Sequence, residues 1–238
     1  MAILMEDTSL EAERVLVRLW SINSPAQQWE RLRGSWSFAR RLKGAPSLTS
    51  PEEATWQVLE QLHRLGARYA IGGSVASSLY GEARFTNDTD ILVDLDEAVL
   101  PVLLASLEND FYVSAEAARE ALRRKSSFNL IHFATQHKVD LFVSKAREFD
   151  QERLRRSLVP DGFPEFFRVM SPEDVILAKL EWFRAWGESS ERQWRDILGV
   201  LASRHDRLDR PYLDRMSRQL GVEDLLGRAR ADIRPLLE

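Results

Sequence analysis

Residues 71–95, IGGSVASSLYGEARFTNDTDILVDL, decide how the chain is read. They predict a strand, a tight glycine turn, a short helix, a loop, and a second strand with two aspartates at its entrance. Tyr69, Ala70 and Ile71 close a short apolar run, and Gly72, Gly73 and Ser74 follow at once. Two glycines let the backbone turn sharply and approach a ligand with no Cβ in the way. Val75 to Leu79 suit a short helix, so the amides of Gly73, Ser74 and Val75 are expected at a helix N-terminus. Phosphate binds well there, and Ser74 adds a hydroxyl.

Side chains alternate along the second strand, which puts Asp88 and Asp90 on one face and Ile91 and Val93 on the other. Two carboxylates side by side repel each other unless a cation sits between them. Hard oxygen ligands select Mg2+ or Mn2+, with substrate phosphates completing the shell. Two-metal chemistry calls for a third carboxylate, and the chain offers Asp140. Ser127 to Thr135 (SFNLIHFAT) and Lys138 to Val143 (KVDLFV) read as strands of a hairpin joined at Gln136 and His137. Val139, Leu141 and Val143 share one face, while Asp140 lies on the opposite one with Lys138. An unpaired carboxylate in an apolar strand is costly to bury, so Asp140 is expected at a polar site.

Gly72-Gly73-Ser74, then Leu79-Tyr80-Gly81, Arg84-Phe85-Thr86 and Asp88-Thr89-Asp90, resembles the polymerase-β-like nucleotidyltransferase superfamily. The pattern is most similar to the AbiEii-type branch of bacterial toxin and abortive-infection nucleotidyltransferases. Glu173-Asp174, Lys179 and Arg195-Asp196 downstream also look like that branch, and the resemblance runs from about Tyr69 to Leu198. It implies Asp88 and Asp90 as metal ligands, Asp140 as third ligand and base, and the glycine turn with Ser74 as phosphate contacts. It further implies Lys179 as a contact to the triphosphate, an NTP as substrate, and tRNA or protein as acceptor.

Rival readings explain less. Asp-x-Asp also occurs in glycosyltransferases, but that leaves the glycine turn without a purpose. A calcium loop fails because no glycine and glutamate sit where a twelve-residue loop requires them. A degenerate nucleotidyltransferase, serving as a nucleotide-binding or antitoxin-like partner-binding module, stays open as the alternative function.

The 238 residues carry a net charge of −4, 44% hydrophobic and 29% charged residues, and no cysteine. Disulfides, redox switching and thiolate catalysis are thereby excluded. The four histidines show no paired spacing for zinc. No run approaches the ~20 apolar residues of a membrane span, and no signal-peptide pattern is present, so a cytoplasmic location is expected. Basic clusters at Arg40-Arg41-Lys43, Arg123-Arg124-Lys125 and Arg153-Arg155-Arg156 read as solvated helix faces or as an RNA-facing surface.

The expected fold class is α+β: a small mixed β-sheet core flanked by helices. Three parts are expected: a helical N-terminal extension over 1–48, the nucleotidyltransferase core over 49–160, and a helical domain over 161–238. Thr8 and Glu11 predict a capping box, and Ser24-Pro25 with Gln27 opens a second helix. Trp29, Leu32, Trp36 and Ala39 recur at helical spacing; this stripe packs on the core or receives a protein partner. Gly44 to Ser50 reads as a linker. Ser50-Pro51 starts a helix that Gly66 stops. Helices are predicted over Glu97–Leu107 and Ala115–Lys125, around a short strand at Phe111–Val113. Arg84 reads either as a positioning residue or as a solvated loop side chain. Ser171-Pro172 caps a helix with Val175, Ile176, Leu180 and Phe183 on its apolar face. Lys179 borders that face, either snorkelling to water or serving the site, and Asp196 either pairs with a basic neighbour or orients that lysine. Further helices are predicted over Glu191–Ser203, Pro211–Leu220 and Val222–Leu236.

Overall fold

Tyr69-Ala70-Ile71 is a run of consecutive buried side chains, and with Arg68 it forms β1 (Arg68–Ile71). In the computed structural model, Leu4, residues 8–42 and residues 51–238 are described, without the side chains of 35–42. β1 pairs antiparallel with β2 (Asp88–Asp94), and β2 pairs parallel with β5 (Lys138–Val143). β5 continues antiparallel to β4 (Ser127–His132), and β4 to β3 (Phe111–Tyr112). The result is one mixed five-stranded sheet in the order β1-β2-β5-β4-β3, and the fold class is α+β.

Alternation gives the sheet two unlike faces. Thr89, Ile91, Val93, Phe128, Leu130, Val139, Leu141 and Val143 are buried. Against this side lie α3 (Pro51–Arg64), α5 (Val99–Leu107) and α6 (Ala115–Arg124), with α7 (Glu148–Arg155) alongside β1. The opposite face carries Asp88, Asp90, Lys138 and Asp140, which are partly exposed. Burying a side chain of Leu or Phe size contributes about 1.5–3 kcal/mol, so the apolar face pins the register. A one-residue slip of β5 would turn Asp140 into the core.

The chain forms two compact units, each assembled from separated segments: 30–75 with 84–170, and 1–29 with 76–83 and 171–238. In the second unit α1 (Leu10–Ile22) lies with α9 (Glu191–Arg204) and α11 (Glu223–Leu237), because Val17 and Trp20 bury their apolar surface there. Arg14 Nε donates to the Pro235 carbonyl at 2.8 Å. The same unit contains α8 (Pro172–Ala185), α10 (Arg210–Gln219) and the later part of α4 (Gly73–Tyr80).

Capping sets most helix starts. Ser24 and Gln27 exchange the expected reciprocal bonds at the head of α2 (Pro25–Leu42). Ser171 accepts from the Asp174 amide ahead of α8. Gly66, at φ +68°, follows the end of α3. Several boundaries shift. Ser9 rather than Thr8 caps α1, accepting from the Ala12 amide. The helix predicted from Glu97 starts at Val99, because Asp96 Oδ1 collects the amides of Ala98 and Val99 at 2.9 Å each. β4 stops at His132 instead of Thr135, since Gln136, at φ +57°, donates its amide back to the His132 carbonyl at 2.8 Å. α7 went unanticipated.

Trp29 and Leu32 of the α2 stripe are buried. The side chains of Trp36 and Ala39, those of Arg40 and Arg41, and all of Lys43 with the linker at 44–50 lie outside the described residues. Arg123 and Arg124 both pair with Glu120, Arg155 with Glu152, and Arg153 with Asp150, so these basic clusters are partly neutralised within their own helices. No helix among the described residues is long and apolar enough to cross a membrane.

Candidate active site

At the end of β1 the backbone leaves the sheet beside the carboxylates. Gly72 still behaves as a strand residue, its amide donating to the Asp90 carbonyl at 2.8 Å. Gly73 then takes φ +53° and begins α4. A Cβ on Gly73 would stand 1.7 Å from Asp90 Oδ2. The turn is therefore glycine for two reasons: a left-handed backbone, and an aspartate lying where a side chain would be. Ser74 accepts a hydrogen bond from Arg84 Nη2 at 2.8 Å, which settles the open reading of Arg84. The 84–87 loop carries a guanidinium back to the turn, and Ser74, Arg84 and the two glycines lie together.

β2 and β5 supply the rest. Asp90 and Asp140 are register partners on parallel strands, and Asp88 is the partner of Lys138. Asp88, Asp90 and Asp140 thus share the open face as expected. Thr86 Oγ1 donates to Asp88 Oδ1 at 2.7 Å and fixes that carboxylate at the strand entrance. Lys138 Nζ lies 2.7 Å from Asp140 Oδ2 and 4.0 Å from Asp88 Oδ2. The hydrogen bond that Lys138 donates to Asp140, followed by the charges of Asp140, Asp88 and Asp90, holds the lysine pKa above its ordinary value against the opposing effect of burial. Sequence reasoning put Lys138 on the correct face but gave it no task.

Behind the carboxylates runs a buried hydrogen-bonded chain. Thr89, between the two aspartates but on the opposite face, shares hydrogen bonds of 2.9 Å with Thr55 of α3 and with His137 Nε2. Burial pushes the His137 imidazole down to about 4, with Asp88 opposing and His132 reinforcing. The unfolded chain takes up that proton near 6.5, the folded protein only near 4. Between those values the unfolded state binds more protons, so His137's contribution is complete above pH 6.5 and is lost as pH falls towards 4. A gap of this size corresponds to roughly 3 kcal/mol. Urea midpoints at pH 7 and pH 4.5 should show a clearly smaller acid-side loss for His137→Gln than for the wild type; equal losses would exclude this source.

Lys179 belongs to the helical unit, and its side chain is 5% exposed. It donates to Asp196 Oδ2 and Gln193 Oε1, both at 2.8 Å. The snorkelling reading fails, because the ammonium is buried in an ion pair, and Asp196 is the basic residue's partner. Glu173 accepts from the Asp209 amide and Asp174 from the Tyr212 hydroxyl, tying α8 to α10. Removing one member of a buried pair strands a charge, so Asp196→Ala is expected to cost about 3–5 kcal/mol in chemical denaturation. A loss under about 1 kcal/mol would show the pair to be solvated.

A divalent ion can be tested against this face. Among the described residues no three acidic or histidine side chains converge to hold an ion, and Lys138 stands between two of the carboxylates. The donor set itself fits a hard cation: carboxylate oxygens on adjacent strands, in register and on one partly exposed face. Asp88, Asp90 and Asp140 are the residues that would hold Mg2+ or Mn2+.

No protein-family model and no curated protein matches the chain. Several solved structures match the chain, two of them as follows. One is an antigenic nucleotidyltransferase-like protein from Paracoccidioides brasiliensis, 19% identical with a TM-score of 0.49, covering 76% of this chain and 88% of that one. The other is the antibiotic-resistance factor ANT(2″)-Ia, 14% identical with a TM-score of 0.44, covering 74% of this chain and 90% of that one.

Proposed function

We propose that this chain is a nucleotidyltransferase that moves an NMP from an NTP to an acceptor hydroxyl and releases pyrophosphate. The observation that carries the proposal is the Gly73 turn packed directly on Asp90, because it brings the first amides of α4 beside a carboxylate pair.

In this reading the triphosphate rests on the amides of Gly73 and Ser74, while Gly72, packed against Met170, lets the strand pass into the turn. Arg84 adds a charged donor beside Ser74 and holds the phosphates by its planar guanidinium. Mg2+ or Mn2+, held by Asp88 and Asp90 and shared with Asp140, would neutralise phosphate charge and stabilise the leaving group. Asp140 accepts the proton of the acceptor hydroxyl. The oxygen attacks the α-phosphorus, a new P–O ester bond forms, and the bond to the bridging oxygen of the leaving pyrophosphate breaks. Thr86 keeps Asp88 in place, and the Thr55–Thr89–His137 chain stiffens the strand that carries both aspartates. Lys179 enters as a triphosphate contact only through the family resemblance, and its pairing with Asp196 gives it a structural role as well. The same resemblance carries the proposals of a tRNA or protein acceptor and of a toxin-like role in a toxin–antitoxin or phage-defence system.

Purified protein incubated with each α-labelled NTP, Mg2+, total tRNA and a cell extract tests the proposal. Label on RNA, protein or a small molecule, with pyrophosphate released by the wild type and not by an Asp88→Ala/Asp90→Ala double variant, is the expected result. Absence of label from all four nucleotides with folded protein would reject it.

A further inference from the structure

Beside the carboxylates on the sheet's open face stands Lys138, a charged side chain that the proposed reaction leaves without a task. Register runs across three strands from Ile131 to Lys138 to Asp88, and one row further from Asn129 to Asp140 to Asp90. Lys138 is thus built into the carboxylate cluster by strand pairing, directly opposite one aspartate and two residues before another. We infer that Lys138 is a resident counter-ion of this cluster, and that a divalent ion binds Asp140 and Asp88 only by displacing its ammonium. The inference rests on the nucleotidyl-transfer reading of the same carboxylates.

Geometry carries the argument. The ammonium lies 2.7 Å from one carboxylate and 4.0 Å from another, the bridging place an ion shared by the two would take. An ammonium and a divalent ion drawn to the same carboxylate oxygens repel each other, so each binds at the other's expense. Asp140 is 15% exposed at its side chain, whereas Lys138 is 41% exposed, so the acid is fixed and the base is free to leave. A lysine suits this task better than an arginine. Its charge is a compact point on a flexible four-carbon stem, while a guanidinium would grip the carboxylate in a rigid two-pronged bond. The triphosphate brings the anion with which a displaced ammonium can pair again. Divalent affinity is therefore low for the protein alone and rises when nucleotide is present, so ion and NTP enter together.

Mn2+ titration without nucleotide, followed by calorimetry or electron paramagnetic resonance, tests this on the full chain. Lys138→Met keeps the length and removes the charge; it is expected to bind Mn2+ about tenfold more tightly than the wild type. Lys138→Arg keeps the charge and should show no such gain. Without a divalent ion Lys138→Met should also melt below the wild type, and Mg2+ should raise its Tm by more. If that variant does not fold, Lys138→Gln carries the same comparison. Equal or weaker Mn2+ binding by Lys138→Met, with binding still abolished in Asp88→Ala/Asp90→Ala, would overturn the counter-ion and leave the carboxylate site standing. Absence of Mn2+ binding in every protein, with or without NTP, would remove the counter-ion and the nucleotidyl-transfer reading together.

Discussion

Alanine at Asp88, or at Asp90, is expected to cut nucleotidyl transfer by at least about a thousandfold while the protein stays folded. Charge stabilisation by a bound divalent ion supplies several kcal/mol at the transition state, and each 1.36 kcal/mol is about a factor of ten. Neither carboxylate holds the core together. Asp88 is 39% exposed at its side chain, and it receives the Thr86 hydroxyl and lies 4.0 Å from the exposed ammonium of Lys138. Removing one of three crowded acids also relieves repulsion. Thermal unfolding of Asp88→Ala should therefore stay within a few degrees of the wild type, the change typical of a partly exposed side chain. Steady-state transfer and melting curves measured on the same preparations separate the two effects. Wild-type turnover by either variant would end the assignment.

Gly73→Ala is expected to damage both activity and stability, and for a reason that a second substitution can expose. The new Cβ would fall 1.7 Å from Asp90 Oδ2, 2.6 Å from Cγ and 2.8 Å from Cβ, so the aspartate or the helix start must move. The φ of +53° adds about 1 kcal/mol for a residue with a Cβ. Misplacing a ligand by about 1 Å costs on the order of a hundredfold in rate, and losing it altogether approaches the Asp90→Ala level. Stability should fall by roughly 2–4 kcal/mol. In an Asp90→Gly background all three colliding atoms are gone, and the same substitution should cost only the backbone part, about 1 kcal/mol. Additive losses in that cycle would show that the crowding is not with Asp90. Gly72→Ala makes a useful contrast. Its Cβ would meet the flexible end of Met170, Cε at 2.9 Å and Sδ at 3.0 Å, which can swing aside.

Period-two alternation made the site legible before any coordinates. It placed Asp88 with Asp90, and Asp140 opposite Val139, Leu141 and Val143, and the sheet keeps both assignments. Local chemistry read equally well: the Ser24–Gln27 box, Ser171 and Gly66 act through bonds a few residues long. What escaped depends on loops or on distant partners. Arg84 reaches Ser74 because the 81–87 loop doubles back, and loop paths leave no periodic trace. Lys138 was visible as a residue on the right face, yet its position between two acids follows from strand register. α7 is mostly charged, with Phe149 and Leu154 as its buried apolar anchors, too few to print a helical stripe. The grouping of α1 with the last helices is tertiary and has no local signature at all.

That grouping has a consequence for how the protein is made. α1 leaves a ribosome well before α9 and α11, against which it lies and which emerge some 170–200 residues later. At about 5–20 residues per second, the N-terminal helix waits on the order of ten to forty seconds for its neighbours. Through that interval Val17 and Trp20 remain uncovered, and a nascent chain in this condition is a client for whatever chaperone shields apolar helices at the exit tunnel.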